Sequence, residues 1–302
     1  MRKDAPKGVR AWTVRKEDPK NLLEFLSFKL GVSRRIAKAA IDERKVWVDR
    51  RCVWMARHRL ETGGVVELSG GIPAAAAPAA SRDRRGARDG LAPRPPKKHV
   101  RVLWQDDDYL VCDKPCGMLT CGAAGATVEN ILRAQESMPS LAAVHRLDRD
   151  PTGCLLFAKN RHALEAAIEV FKTRSVSKTY HAIAAGRIEY AHQTIDAPVD
   201  GKRALTKLVR EESGRDATFV KARIETGRTN QIRRHLASIR HPVLGDRVFG
   251  VKFARDPRIM RVPRQMLHAS TLVLPHPLKR GTEIKVHSPL PADFRAALKL
   301  FI

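Results

Sequence analysis

The strongest constraint on this chain is a change of character within one short stretch. His145-Arg146-Leu147-Asp148-Arg149-Asp150 is dense in charge, and only Pro151-Thr152-Gly153 separates it from the apolar run Cys154-Leu155-Leu156-Phe157-Ala158. The apolar run reads as a buried strand. Two carboxylates and two guanidiniums so close together cannot all lie in a core. If Asp148 points into a pocket, an adjacent Arg keeps it ionised and in place, which is how a protein presents a carboxylate as a nucleophile or cation stabiliser. The same residues would also make an ordinary salt-bridged surface turn.

Charge limits the partners. Lys and Arg number 57 against 32 Asp and Glu, a formal net charge of +25, with the excess spread over both halves of the chain. An excess of that size favours a polyanion, ordinarily nucleic acid. Aromatic residues are only 5% of the chain, so the core is expected to be aliphatic and base stacking falls to a few rings. The five cysteines (Cys52, Cys112, Cys116, Cys121 and Cys154) form no C-x-x-C pair and fit no zinc or iron–sulfur spacing. Reduced thiols in a cytoplasmic protein are expected. No metal is expected. The N-terminus lacks the apolar core of a signal peptide, and Asp4, Glu17 and Asp18 argue against a transit peptide. No stretch approaches the ~20 apolar residues of a membrane span.

Residues 1–20 are polar and basic and read as a loose arm. Asn21 is placed to cap a helix carrying Leu22, Leu23, Phe25, Leu26 and Leu30, which Gly31 ends. Ser33 can cap a second helix from Arg34 to about Arg44, with Ile36, Ala37, Ala40 and Ile41 on one side and Arg34, Arg35 and Lys38 on another. Val46-Trp47-Val48 and Val65-Val66-Glu67-Leu68 read as strands. The order helix, S-R-R, helix, K-V-x-V-D, G-G-x-V-x-L resembles the small RNA-binding domain named for ribosomal protein S-four, over residues 21–68. Asp49 and Gly64 depart from that pattern without touching the basic face. Residues 69–98, rich in Ala, Pro and Arg, have linker composition.

Residues 99–302 form a larger domain. Val100–Leu103, Tyr109–Pro115, Ser177–Ala184, Phe219–Glu225, Leu272–Leu274 and Glu283–Val286 read as strands. Thr127–Glu136, Arg161–Lys172 and the segment after Gly227 read as helices. Without regular βαβ alternation, this predicts an α+β domain on a mixed, largely antiparallel sheet with flanking helices.

The spelling around Asp148 is specific. H-R-L-D-R-x-x-x-G followed by L-L-F-A-K-N resembles the catalytic motif of RluA-type RNA pseudouridine synthases, and Asp113-Lys114-Pro115-x-Gly117 resembles the N-K-P-x-G that precedes it. A kinase loop is excluded by the intervening Leu147 and by the lack of a Gly-rich loop or Asp-Phe-Gly. The resemblance implies the pseudouridine-synthase fold, with Asp148 as nucleophile and no cofactor. It implies that Tyr180, in S-K-T-Y-x-A, stacks on the base and relays a proton. Arg233, in G-R-T-N-Q-I-R, would pair with Asp148. Arg146 would attend the flipped nucleotide, and Arg228 and Gln231 would meet RNA. Pro151 and Asn230 depart from the family's usual residues. Uridine isomerisation in large-subunit ribosomal RNA is the expected activity, with transfer RNA as another substrate, and a monomer is expected. A non-catalytic RNA-binding or ribosome-assembly factor that keeps the fold is the alternative. A glycosidase-like hydrolase would need a second acid, for which Asp150 stands too close.

Overall fold

The computed structural model describes residues 9–42, 45–49, 51–53, 55–69, 99–122, 126–173, 175–250 and 262–302. Residues 70–98, all but the first residue of the linker expected over 69–98, lie outside the described residues. The chain divides into two compact units, one N-terminal and small, the other large.

The small unit combines a sheet ordered β1-β4-β2-β3 (Val9–Thr13, Val65–Ser69, Val46–Val48, Arg51–Cys52) with helices α1 (Leu22–Leu30) and α2 (Arg34–Asp42). The Asn21 side chain accepts from the backbone N–H of Leu23 at 3.1 Å, and Gly31 closes α1 at φ +63°. That left-handed angle costs glycine nothing. Leu22, Phe25 and Leu26 of α1 and Ala37, Ala40 and Ile41 of α2 bury against Val46, Val48, Val66 and Leu68 of the sheet. The loose arm expected over residues 1–20 needs correcting from Val9 on. Val9–Thr13 pairs antiparallel with β4, with Ala11 opposite Glu67. Trp12 packs on the core, followed by buried Val14. Its partner strand is remote in sequence, so the segment's charge masked a strand.

The large unit has a mixed, mostly antiparallel sheet in the order β10-β11-β12-β9-β13-β8-β6-β5, with β14 on β13 and β7 on β8. The strands are β5 (Arg101–Gln105), β6 (Tyr109–Lys114), β7 (Ala142–Ala143), β8 (Thr152–Ala158), β9 (Ser177–Ala185), β10 (His192–Asp196), β11 (Leu205–Ser213), β12 (Ala217–Ile224), β13 (Leu267–Pro275) and β14 (Glu283–His287). Helices α3 (Val128–Gln135), α4 (Arg161–Lys172), α5 (Gln231–Ser238) and α6 (Ala292–Phe301) flank it. The apolar run after the charged turn is β8, and every residue of it is buried. β8 pairs parallel with β13, Ala269 opposite Gly153. Gly153 is required there: at φ +110° a Cβ would stand 2.2 Å from the Ala269 carbonyl oxygen. Phe294, Ala297 and Phe301 of α6 pack with Ile183 and Ala217.

Candidate active site

Asp148 lies in the turn between β7 and β8, and its neighbours are tied on both sides. The Thr120 hydroxyl donates to the Leu147 carbonyl at 2.9 Å and accepts from the Leu147 N–H at 3.2 Å. On the other side stands Lys114, the last residue of β6. Its side chain is fully buried, and its ammonium donates to the carbonyls of Arg149 (2.8 Å), Pro151 (2.8 Å) and Pro115 (2.9 Å). Three N–H groups meet three carbonyls, which satisfies a buried ammonium without a counter-ion. Burial nevertheless pulls its pKa down to about 8. Arg149 Nε donates to the Gly117 carbonyl at 3.0 Å. Upstream, His145 Nε2 accepts from the Leu156 N–H at 3.2 Å while its ring stacks on Phe171.

Downstream, Thr152 and His268 Nδ1 hydrogen-bond across the β8–β13 pair at 2.8 Å, and His268 Nε2 donates to the Ser288 carbonyl at 3.0 Å. Burial lowers the pKa of His268. It stays neutral near pH 7, with Nδ1 accepting from the threonine hydroxyl.

The turn is thus held by its backbone, and the half-buried Asp148 carboxylate forms no hydrogen bond or ion pair with the described residues. Arg146, one residue beyond Leu147, is exposed. Tyr180 sits in mid-sheet on β9, opposite Ala269 of β13 on one side and Ala222 of β12 on the other. Its ring is buried, and burial, with the Asp148 charge adding to it, pushes the phenol well above its ordinary range. Tyr180 therefore carries its proton at neutral pH. The Asp148 charge lies near enough to act on the Tyr180 phenol.

Two expectations need correcting. Arg233 does not pair with Asp148. Its guanidinium makes a bidentate pair with Asp246, Nε to Oδ2 at 2.6 Å and Nη2 to Oδ1 at 2.9 Å, while Nη1 donates to Asn230 Oδ1. Asp246 also accepts from the backbone N–H groups of Val248 and Phe249. Burial alone would raise the Asp246 pKa; the Arg233 hydrogen bonds and the Phe249 N–H outweigh it and hold it below the ordinary carboxylate range. The competing acid follows α5 in V-L-G-D, where Gly245 turns at φ +74° against the Arg264 carbonyl. Asn230, the departure from the family pattern, sits at φ +57° before α5. Asn is among the few non-glycine residues that visit this region readily.

Gln231 is also misplaced as an RNA contact. It is buried, and its amide oxygen accepts from Thr226 Oγ1 (2.7 Å) and the Arg228 N–H (3.1 Å). Its amide nitrogen donates to the Leu205 carbonyl (2.9 Å) and Thr206 Oγ1 (3.0 Å). All four hydrogen-bonding positions are used, so Gln231 braces the loop before α5 onto β11. Arg228 is exposed, with Nε donating to the Arg203 carbonyl at 3.2 Å. In the small unit Arg34, Arg35 and Lys38 are all exposed.

Sequence reasoning passed over Lys114, Thr120 and Asp246. Only Lys114 carried a signal, inside D-K-P-x-G, where a lysine at a buried strand's end has no solvent to reach. Among the described residues one trio, Asp106, Asp108 and His276, brings metal-type ligand atoms within 4.8 Å of one another. Asp106 already pairs with His276 (2.7 Å) and Lys279 (3.4 Å). No helix among the described residues is long and apolar enough to cross a membrane.

Comparison with known proteins converges on one family. The family model described as RNA pseudouridylate synthase matches residues 108–238. The chain is 35% identical over 230 residues to a ribosomal large subunit pseudouridine synthase D of Pseudomonas aeruginosa, covering 67% of this chain and 71% of the relative. It is 34% identical to the synthase of that name from Xanthomonas campestris pv. campestris, covering 65% and 67%. Among solved structures, human RNA pseudouridylate synthase domain containing 1 superposes with a TM-score of 0.56 at 28% identity, covering 65% of this chain and 86% of that one.

Proposed function

This chain belongs to the RNA pseudouridylate synthase family, and from that premise we propose that it converts uridine to pseudouridine in large-subunit ribosomal RNA, with Asp148 as nucleophile and no cofactor. The observation that carries the reading is an aspartate whose backbone is fixed on both sides while its carboxylate has no partner among the described residues. Fixed geometry and an uncommitted charge are what a nucleophile needs.

The reaction breaks the bond from ribose to uracil nitrogen, turns the base and rejoins it through ring carbon five, whose proton must then leave. It is a redox-neutral isomerisation. Asp148 traps the electrophile that forms when the glycosidic bond opens. Tyr180, buried and protonated, stacks on the uracil and relays the proton. The base must leave the RNA stack to reach them, and Arg146 at the exposed edge of the turn meets the extruded nucleotide's backbone. Arg228 adds a phosphate contact. Arg233, tied to Asp246, fixes the start of α5 rather than the nucleophile.

The small unit, S-four-like over residues 21–68, binds RNA through Arg34, Arg35 and Lys38. Residues 69–98 link it to a catalytic domain spanning 99–302. The names of the bacterial relatives favour ribosomal RNA; transfer RNA is the competing substrate.

Asp148→Asn tests the chemistry. Tritium release from ring carbon five of large-subunit ribosomal RNA should fall to background. Affinity in a filter-binding titration should change by no more than about twofold, because phosphate contacts dominate binding. Turnover near wild type would refute the nucleophile assignment.

A further inference from the structure

An aromatic side chain on the small unit has no role in its core. Phe28 is 65% exposed. The buried stripe of α1 runs through Leu22, Phe25 and Leu26, and Phe28 lies off it. A single exposed apolar residue is unremarkable by itself; its surroundings are what distinguish this one.

Glu24 lies one helical turn before Phe28, hence beside it on the surface of α1. The Glu24 carboxylate pairs with Arg34 of α2 at 3.1 Å. Lys38 lies one turn beyond Arg34 on α2, and Arg35 is its neighbour three residues back. Phe28 therefore stands at the end of a continuous surface row that passes through Glu24 and Arg34 to the exposed cations of α2. The ring is also steadied. The Lys29 ammonium is 5.5 Å from its centroid and is itself anchored to the buried Asp18 carboxylate at 2.7 Å. A cation over the ring and a charged partner in the core give Phe28 a preferred orientation.

Resting on the RNA-binding reading of this unit, we infer that Phe28 is a stacking platform for one unpaired base, next to the phosphates held by α2. A rigid aromatic bordered by cations suits RNA because every base offers a π-face and the cations follow the backbone. A protein partner would want a wider apolar patch than a single ring set among charges.

The test uses the full chain and two loop-free duplex RNAs matched in phosphate number, one with a single-nucleotide bulge and one fully paired. Phe28→Ala and Phe28→Leu should each weaken binding of the bulged RNA by about 5- to 100-fold, leave the paired RNA unchanged, and leave the salt slope intact. Leu keeps the apolar bulk and removes the π-face, so it separates stacking from simple burial. Phe28→Trp should keep the affinity, and the added indole emission should be quenched by the bulged RNA only. Wild-type affinity in Phe28→Ala or Phe28→Leu, or equal losses on both RNAs, would overturn the platform. Capture of a protein through Phe28, with RNA binding unaffected, would overturn it too. Replacing Arg34, Arg35 and Lys38 together by Gln tells the two failures apart. If that change lowers affinity and salt slope while Phe28→Ala does nothing, only the platform fails. If it also does nothing, the RNA-binding reading of the unit fails with it.

Discussion

Replacing Lys114 by Met removes the ammonium that ties the Asp148 turn to β6, with little change in side-chain length. Three carbonyls lose their donor, two of them, Arg149 and Pro151, on the turn itself. A hydrogen bond from a charged donor contributes about 1.5–3 kcal/mol. Against that, the variant no longer buries a charge. The lowering of the Lys114 pKa from 10.5 to about 8 corresponds to about 3 kcal/mol disfavouring the charged form. The balance near pH 7 is a loss of about 3 kcal/mol of stability. The pH dependence is more telling. With the folded pKa below the unfolded one, the unfolded chain binds more protons between about pH 8 and 10.5. Wild-type stability therefore gains from this residue as pH rises through that window, and the gain fades as pH falls through 8. The variant lacks the gain. Guanidinium unfolding at about pH 7 and about pH 10 should show the difference between the two proteins widening at the higher pH by up to about 3 kcal/mol. Turnover should fall by roughly 100-fold as the turn loosens by an ångström, with RNA affinity retained. Equal stability at both pH values, or a difference that narrows with pH, would refute the argument.

Two further substitutions probe the frame around the site. Gly153→Ala places a methyl 2.2 Å from a backbone oxygen of β13 at a positive φ, so the melting temperature should drop by about 5–10 °C, or the protein should fail to fold; calorimetry at wild-type temperature would contradict the close strand approach. Asp246→Asn leaves the buried Arg233 guanidinium without its bidentate anion, with an expected cost of about 3–5 kcal/mol at neutral pH in a denaturant titration. Because the folded Asp246 pKa lies below 3.8, the wild-type advantage is fully present above that value and lost as pH falls through the folded pKa; an advantage that persists unchanged in strong acid would refute the pairing.

Local chemistry made much of this architecture readable in advance. The caps at Asn21 and Gly31, the apolar run of β8 and the alternation in Val220, Ala222 and Ile224 are encoded in neighbouring residues, and each element lies where its pattern indicates. Elements whose stability comes from distant partners were illegible. Val9–Thr13 becomes a strand because β4 is there to pair with it. Leu205–Ser213 ends in charged residues and is held by β10 on one side and β12 on the other. The site divides in the same way. The Asp148 turn announces itself in its spelling, and Tyr180 in its motif. Which acid takes Arg233 depends on a turn that returns Asp246 beneath it, and Gln231 becomes a brace only once β11 lies alongside. Lys114 stands between the two cases: D-K-P-x-G marks its place, but the lysine reads as solvated until the strand around it is known to be interior.

The place of β13 in the sheet has a consequence for how the protein is made. It lies between β9 and β8, so among the described residues the strands β5 to β8 and the strands β9 to β12 join in one sheet only through Leu267–Pro275. A ribosome delivers residues in order, and domains assemble as their segments emerge. From the delivery of Tyr180 until that of Leu267–Pro275, the Asp148 turn and Tyr180 therefore exist without the strand that lies between β8 and β9. Pairings across so long a separation also form slowly. A nascent chain can expose its cationic surface to RNA well before it can do chemistry, and competence arrives late, in a single closing step.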